Sequence, residues 1–111
     1  MHTDALIQQT IRSAVGPDVK LMADGNGAYT MGNALKMAHQ LRALDFEFLE
    51  EPMPQRSNNY PGYDVLREKM PLPLAGGEAL DSREAAKALI DRRAFDIIQP
   101  DASLCGGVGE V

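Results

Sequence analysis

The sequence predicts an α/β fold of parallel strands, made of four successive strand–helix units that amount to about half of a TIM-type barrel. Short apolar runs alternate with helical patterns along all 111 residues, in the order αβαβαβαβ. Such alternation joins parallel strands through right-handed helical crossovers. Each unit is close to the roughly 31 residues that an eight-stranded barrel uses for one strand and helix. An open doubly wound sheet is the competing architecture.

The predicted strands are short apolar runs that end at glycine, proline or acidic residues. They cover residues 19–24, 46–52, 72–78 and 95–101. No long linker, charge block or low-complexity segment separates the runs, so we expect a single domain over residues 1–111.

The predicted helices carry apolar residues three and four positions apart. They cover residues 3–16, 30–45, 63–70 and 81–94. In the second helix this spacing places five residues on one face behind Thr30 as the N-cap: Ala34, Met37, Ala38, Leu41 and Leu44. In the first helix the same pattern predicts that Ile7, Ile11 and Ala14 point inward.

Composition and charge exclude several classes of partner. The net charge of −5 disfavours nucleic acid and anionic membrane surfaces. No apolar run reaches the length of a membrane span, and the first residues lack a signal-peptide pattern. The single cysteine, Cys105, cannot form an internal disulfide, which favours a reducing compartment. We therefore expect a cytoplasmic protein.

An acidic residue ends each predicted strand, at intervals of 23 to 28 residues: Asp24, Glu50, Glu78 and Asp101. Since each interval is about one strand–helix unit, the four acids fall at the same edge of the sheet. The carboxyl edge of parallel strands is where α/β proteins build their sites.

A single acid after a strand is most simply explained as a helix cap or a solvated side chain. Four acids in phase are harder to explain in that way, because clustered carboxylates need a counter-charge to remain ionised. A hard divalent cation bound by oxygen atoms, such as Mg²⁺, fits this requirement. The spacing therefore predicts a metal site.

Four motifs then resemble one known family in order and spacing: "LMADGNGAYT", "FLEEPMP", "LAGGEAL" and "IIQPDASLCGGVGE". They are similar to the catalytic barrel of the enolase superfamily, in its mandelate racemase-like branch, and the resemblance covers nearly the whole chain. It implies that residues 1–111 correspond to barrel strands three to six, without the family's capping domain.

The resemblance also implies roles for individual residues. Asp24, Glu50 and Glu78 match the carboxylates that bind Mg²⁺, with Mn²⁺ as a substitute, and Asn26 matches an asparagine of the site. Asp101 matches the catalytic aspartate that orients a general-base histidine. For Glu51, the neighbour of Glu50, strand alternation predicts the opposite face and either a supporting role behind the metal site, an ion pair or a plain surface position.

The chemistry that the resemblance implies is Mg²⁺-dependent abstraction of the α-proton from a small hydroxy-carboxylate. The resemblance implies racemisation, cycloisomerisation or dehydration as the outcome, with a slight preference for dehydration of a polyhydroxy acid. Leu104 stands where the muconate-lactonising branch carries a lysine, which disfavours a two-lysine mechanism.

Other parts of the family pattern do not match residues 1–111. The second-strand lysines, the dyad histidine after the seventh strand and the capping domain have no counterpart here, so the chain is expected to supply only the metal-binding part of an enzyme. The alternative hypothesis is a non-catalytic, truncated half-barrel that associates with itself as a homo-oligomer. A third hypothesis is an open sheet that binds a small ligand without metal.

The polar segment 55–63 follows the second strand and would flank the mouth of a barrel. Arg56, Asn58 and Tyr60 are candidates for substrate contacts there. Turn formation explains the asparagines, proline and glycine of the segment equally well.

Overall fold

A computed structural model describes residues 2–55 and 59–111, except for the side chain of His2. Eight elements follow the predicted order: α1 (His2–Val15), β1 (Leu21–Asp24), α2 (Met31–Ala43), β2 (Phe46–Glu50), α3 (Tyr63–Lys69), β3 (Leu74–Gly76), α4 (Arg83–Asp91) and β4 (Ile97–Ile98). Within the described residues, no helix is both long and apolar enough to cross a membrane.

The four strands form one parallel sheet in the order β1-β2-β3-β4. Because each right-handed crossover moves to the next strand in the same direction, the connecting helices α2, α3 and α4 pack on a single face of the sheet. A doubly wound sheet instead reverses its strand order and places helices on both faces. The predicted α/β fold with parallel strands in barrel order is confirmed, and the doubly wound alternative is wrong.

The strands are shorter than the sequence predicts, because the backbone leaves the extended region earlier than the apolar runs end. β2 stops at Glu50, since Glu51 adopts φ of 34°. β3 stops at Gly76, since Gly77 adopts φ of 111°, a conformation that glycine reaches without steric cost. The residues just past each strand are therefore turn residues, and their side chains no longer follow strand alternation.

The apolar face of α2 is the best example of a confirmed helical prediction. Thr30 caps the helix by accepting a hydrogen bond from the Asn33 backbone N–H at 3.3 Å. Four of the five residues predicted on one face are buried against the sheet: Ala34, Met37, Ala38 and Leu41. Burial of this stripe, at about 25 cal/mol per Å² of apolar surface, is the main force that holds α2 on the sheet.

The inward orientation predicted for α1 is wrong. Ile7 and Ile11 remain 49 % and 39 % exposed, and Ala14 is exposed as well. Among the described residues, no element covers the apolar side of α1, so the helical spacing is present but the packing partner is not. Polar contacts of Arg12, together with a hydrogen bond from the Tyr29 hydroxyl to Asp4 at 3.2 Å, help to hold the helix to the rest of the fold.

Arg12 ties α1 to the loop before β1 and to the turn between α2 and β2. Its guanidinium donates hydrogen bonds to the carbonyls of Leu44 and Asp45 at 2.9 and 2.8 Å, and to those of Gly16 and Val19 at 2.9 and 2.7 Å. It also lies 5.8 Å from the ring centroid of Phe46. One side chain thus links α1 to the start of β1 and to the α2–β2 turn.

We expect Arg12→Ala to destabilise the fold by about 2 kcal/mol, because several charge-assisted hydrogen bonds to carbonyls are lost together. The free energy of unfolding in urea, followed by circular dichroism, checks this. Arg42→Ala, at an exposed position in the last turn of α2, is the control and should change that free energy by less than about 0.5 kcal/mol. Equal effects of the two substitutions would contradict the assigned role of Arg12.

Candidate metal centre at the carboxyl edge of the sheet

The ends of β1 and β2 are joined well beyond the strands themselves. Asp24 pairs with Glu50 in the parallel register. The pairing continues into the turns, where the N–H groups of Gly25, Gly27 and Tyr29 donate to the carbonyls of Glu50, Glu51 and Pro52 at 2.8, 2.7 and 2.8 Å. A Cβ on Gly25 would lie 2.6 Å from the Cα of Pro52. The segments "DGNG" and "LEEP" are therefore hydrogen-bonded side by side, which places Asp24 beside Glu50.

Asn26 orients Asp24 through its backbone. The Asn26 N–H donates to Oδ1 of Asp24 at 2.8 Å, and Asn26 itself has a left-handed φ of 41°. Both side chains are exposed at the carboxyl edge of the sheet. The structure thus leaves the second carboxylate oxygen of Asp24 and the Asn26 side chain facing solvent, where a ligand has access to them.

Glu50 is half-buried at the end of β2, between Asp24 and the turn after β3. Burial raises the pKa of its carboxyl group, and the charge of Asp24 raises it further. The side chain of Gln99 hydrogen-bonds to the Glu50 carboxylate and opposes this rise, while the charges of Glu51 and Glu78 add to it. Gln99 is a site residue that sequence analysis missed. Its position directly after the fourth strand, next to Asp101, was the available signal.

Glu78 lies in the turn after β3, three positions beyond the residue that pairs with Glu50. The charge of Glu51 is the largest cause of a raised pKa at the Glu78 carboxyl group, followed by burial and by the charges of Asp24 and Asp101. Although its side chain is exposed, Glu78 thus lies within electrostatic reach of three other acids.

Asp101 follows β4 and is fixed by Ser103. Oδ1 of Asp101 accepts hydrogen bonds from the Ser103 backbone N–H at 2.8 Å and from its hydroxyl at 2.7 Å. These bonds hold the pKa of the Asp101 carboxyl group below its usual range. Both bonds go to Oδ1; in the described part of the chain, Oδ2 accepts none. No histidine side chain of that part lies at this edge, since His39 is exposed on α2.

Glu51 takes a position that strand alternation did not predict. Its side chain is only 1 % exposed, so a plain surface role is wrong. The reason is the turn conformation of Glu51, which directs the carboxylate under the turn after β3. There Oε1 accepts hydrogen bonds from the Tyr60 hydroxyl and the Gly77 N–H, each at 2.8 Å, and from the Glu78 N–H at 3.3 Å. No ion pair forms between Glu51 and a described residue.

The segment after β2 contributes Tyr60 to the interior and not to a substrate surface. Tyr60 is fully buried, so its interpretation as a substrate contact is wrong. Arg56 and Asn58, the other two candidates of this segment, lie outside the described residues.

The fit of a divalent cation follows from the chemistry of these donors. Asp24, Glu50, Glu78 and Asp101 share one edge, and no lysine or arginine of residues 2–55 and 59–111 forms an ion pair with any of them. Neighbouring negative charge contributes to both raised pKa values: it is the second cause after burial at Glu50 and the largest cause at Glu78. Within the same residues, no three His, Cys, Asp or Glu side chains converge closely enough to hold an ion. The donor set fits Mg²⁺ in type and charge, and a cation would have to draw the carboxylates together.

A cavity elsewhere on the molecule is unrelated to the acids. It has a volume of about 360 Å³, and Arg67, Arg93, Phe95 and Ile98 are among the residues that line it. It shares no residue with the carboxyl-edge acids, so it adds nothing to the predicted metal site.

Comparison with known proteins identifies the relatives of this chain. The family model described as "Enolase C-terminal domain-like" matches residues 1–111. D-galactarolactone cycloisomerase of Agrobacterium fabrum is 33 % identical over 112 residues, and arabinonate dehydratase of Saccharolobus solfataricus is 35 % identical over 112 residues. Each alignment covers 100 % of this chain and 29 % of the relative.

A solved structure shows the same fold. The crystal structure of an enolase from Bradyrhizobium, complexed with magnesium and mandelic acid, superposes with a TM-score of 0.90 at 29 % identity. The superposition covers 98 % of this chain and 30 % of that one. The chain thus spans less than a third of the length of each of these three proteins.

Proposed function

The chain belongs to the enolase C-terminal domain-like family, and from this membership we propose that it provides the Mg²⁺-binding carboxylates of an enzyme that removes the α-proton of a hydroxy-carboxylate. Asp24, Glu50 and Glu78 are the proposed ligands. The observation that supports this most strongly is the strand order, because four parallel strands in sequence order bring one acid from each carboxyl end to the same edge.

The names of the relatives support a proposed substrate class. Two of them are named for acid-sugar chemistry, a cycloisomerase acting on galactarolactone and a dehydratase acting on arabinonate. The related Bradyrhizobium enolase was crystallised with magnesium and mandelic acid, a small hydroxy acid. We propose a small polyhydroxy or hydroxy acid as the substrate of the complete enzyme, with dehydration preferred to racemisation as the outcome.

Bound Mg²⁺ supplies Lewis-acid stabilisation of the negative charge that develops on a substrate carboxylate as the α-proton leaves. The residues of this chain prepare that site. The Asn26 N–H fixes one oxygen of Asp24, and the side chain of Gln99 holds the Glu50 carboxylate. Ser103 occupies Oδ1 of Asp101, so that Oδ2 is available to orient a base.

The base itself comes from outside these four strand–helix units in this proposal. The turns that follow β1 to β4 contain no lysine or histidine in the sequence. Asp101 therefore acts as a positioning residue for a base supplied elsewhere, and the chain contributes metal binding but not proton transfer.

We expect 5 mM MgCl₂ to raise the melting temperature of the 111-residue chain by several degrees, because a ligand that binds only the folded state adds RT ln(1 + [L]/Kd) to its stability. Asp24→Ala should abolish this rise, because it removes the carboxylate that lies in register with Glu50. Differential scanning fluorimetry in EDTA and in MgCl₂ measures both values. Asp18→Ala, at an exposed position before β1, is the control and should retain the full rise.

The second candidate function is a non-catalytic half-barrel that associates with itself. Exposed apolar side chains on α1 and on the strands favour it, among them Ile7, Met22 and Ile97. This candidate requires that Mg²⁺ leave the melting temperature unchanged and that sedimentation give a molar mass above that of one chain. If Mg²⁺ raises the melting temperature and Asp24→Ala removes that rise, carboxylates that bind no metal are excluded.

A further inference from the structure

Glu51 is a buried carboxylate that forms no ion pair within the described part of the chain. It is 1 % exposed, and its Oε1 alone accepts three hydrogen bonds, from Tyr60, Gly77 and Glu78. Burying an ionised carboxylate without a cation is unfavourable, and a neutral side chain could accept the same N–H donors. The use of a charged group at this position therefore calls for a reason beyond packing.

Two of the three donors belong to the turn that carries Glu78. The Gly77 N–H lies 2.8 Å from Oε1 of Glu51, and the N–H of Glu78 itself lies 3.3 Å from the same atom. The carboxylate thus holds the backbone of the residue whose side chain is a proposed metal ligand. Glu50, the preceding residue, carries another proposed ligand, so one dipeptide both supplies a ligand and fixes a second one.

The glycine pair before Glu78 permits this approach. A Cβ on Gly76 would lie 2.9 Å from Cγ of Glu51, and Gly77 adopts a φ of 111°. Any side chain at Gly76 would therefore push the carboxylate away from the turn. The "GGE" and "EEP" motifs fit together as one structural unit.

Tyr60 secures the same turn from its other side. Its hydroxyl donates to Oε1 of Glu51 at 2.8 Å and accepts the Ala79 N–H at 3.2 Å. Its ring packs edge-on against Tyr63 and Phe95, with centroids 5.3 and 5.1 Å away. Burial raises the pKa of the Tyr60 hydroxyl. The hydroxyl therefore stays protonated at neutral pH and donates its hydrogen bond to Glu51.

We propose that Glu51 is a positioning residue that fixes the Glu78 turn and adds negative potential behind the metal site, so that the cation binds more tightly. The inference rests on the proposed function, since Glu78 acts as a ligand only there. A fixed charge behind the ligands acts on a cation more strongly than one in water, because the protein interior screens it less.

The test compares Mg²⁺ binding by isothermal titration calorimetry in the wild-type chain, Glu51→Gln and Tyr60→Phe. Glutamine keeps an oxygen that accepts the Gly77 and Glu78 N–H groups but removes the charge. We expect Glu51→Gln to weaken Mg²⁺ affinity by about 10- to 100-fold, as substitutions behind metal ligands commonly do. Tyr60→Phe should weaken it by a smaller factor. The melting temperature of Glu51→Gln in EDTA should be no lower than that of the wild type.

Glu47→Gln is the matched control. It removes one negative charge from the same strand, at an exposed position 3.6 Å from Lys20, without touching the Glu78 turn. Its Mg²⁺ affinity should stay within about twofold of the wild type, because the charge of Glu47 is exposed to solvent and is therefore screened by water and salt.

The outcomes separate the inference from the proposed function. A wild-type chain that binds no Mg²⁺ overturns both. A wild-type chain that binds Mg²⁺, together with unchanged affinity in Glu51→Gln or an equal loss in Glu47→Gln, overturns the role of Glu51 and leaves the metal site intact. If Glu51→Gln does not fold, Tyr60→Phe decides: unchanged affinity in the folded variant overturns the inference, and weaker affinity in the folded variant supports it.

Discussion

Replacing Gly76 by alanine is expected to destabilise this fold strongly. An added Cβ would lie 2.4 and 2.6 Å from the Phe95 ring and 2.9 Å from Cγ of Glu51, and Gly76 is itself buried in β3. Atoms cannot approach so closely, so the ring, the carboxylate or the strand must move. We expect a loss of about 3 kcal/mol, at the upper end of overpacking effects. Urea denaturation measures it.

Gly32→Ala is the matched control, because nothing lies within 4 Å of its added Cβ in the first turn of α2. Alanine should leave stability unchanged or increase it by up to about 1 kcal/mol at this helical position. If Gly76→Ala unfolded at the same urea concentration as the wild type, the close packing of Phe95 and Glu51 around Gly76 would be refuted. The same substitution should also weaken Mg²⁺ binding, since it displaces the carboxylate under the Glu78 turn.

Local periodicity accounts for the parts of the fold that the sequence predicted well. The apolar stripe of α2 packs as its spacing requires, because the sheet lies directly beside it in the chain and in space. The parallel order of β1 to β4 follows from repeated strand–helix units, whose crossovers have only one favourable hand. Predictions failed where a distant partner decides the outcome. The stripe of Ile7 and Ile11 has the right spacing but no covering element among the described residues.

In the candidate metal site, too, features set by local spacing could be predicted and features set by distant partners could not. The register of Asp24 with Glu50 could be predicted, because it depends only on counting one strand–helix unit. The burial of Glu51 could not, because it depends on a left-handed φ one residue past the strand and on donors 26 residues away in sequence. The role of Tyr60 depends on this same unpredicted conformation of Glu51, whereas the position of Gln99 directly after the fourth strand was a signal that the sequence did offer.

We expect Glu50→Gln to change the stability of the metal-free and metal-bound chain in opposite directions. In EDTA at neutral pH, the Glu50 carboxylate is half-buried and lies opposite Asp24, and both burial and a like charge on the neighbouring strand disfavour its ionised form. The glutamine oxygen still accepts the Gln99 hydrogen bond, so neutralisation should raise the melting temperature by about 2–5 °C. In 5 mM MgCl₂ the order should reverse, because the wild type gains a cation that the variant cannot hold.

The pH dependence gives the same prediction a second readout. The folded-state pKa of Glu50 is raised, so its protonated form favours folding, and this contribution is lost as pH rises through the folded-state value. In EDTA, the advantage of Glu50→Gln over the wild type should therefore be greatest at pH 7–8 and shrink as the pH falls toward about 4.5, the ordinary pKa of glutamate. Melting curves across this range measure it, with Glu68→Gln on the exposed face of α3 as the control.

A change in melting temperature that has opposite signs in EDTA and in MgCl₂ distinguishes a metal-binding carboxylate from an ordinary acidic surface residue. A carboxylate retained only for packing would lose stability on neutralisation both with and without metal, and a solvated one, such as Glu68, would change little in either condition. Only a group that is unfavourable in the empty fold and favourable with a cation reverses its sign. If Glu50→Gln lowered the melting temperature in EDTA, the crowding of negative charge at the strand ends would not be the force that Mg²⁺ relieves, and the proposed metal site would lose its physical basis.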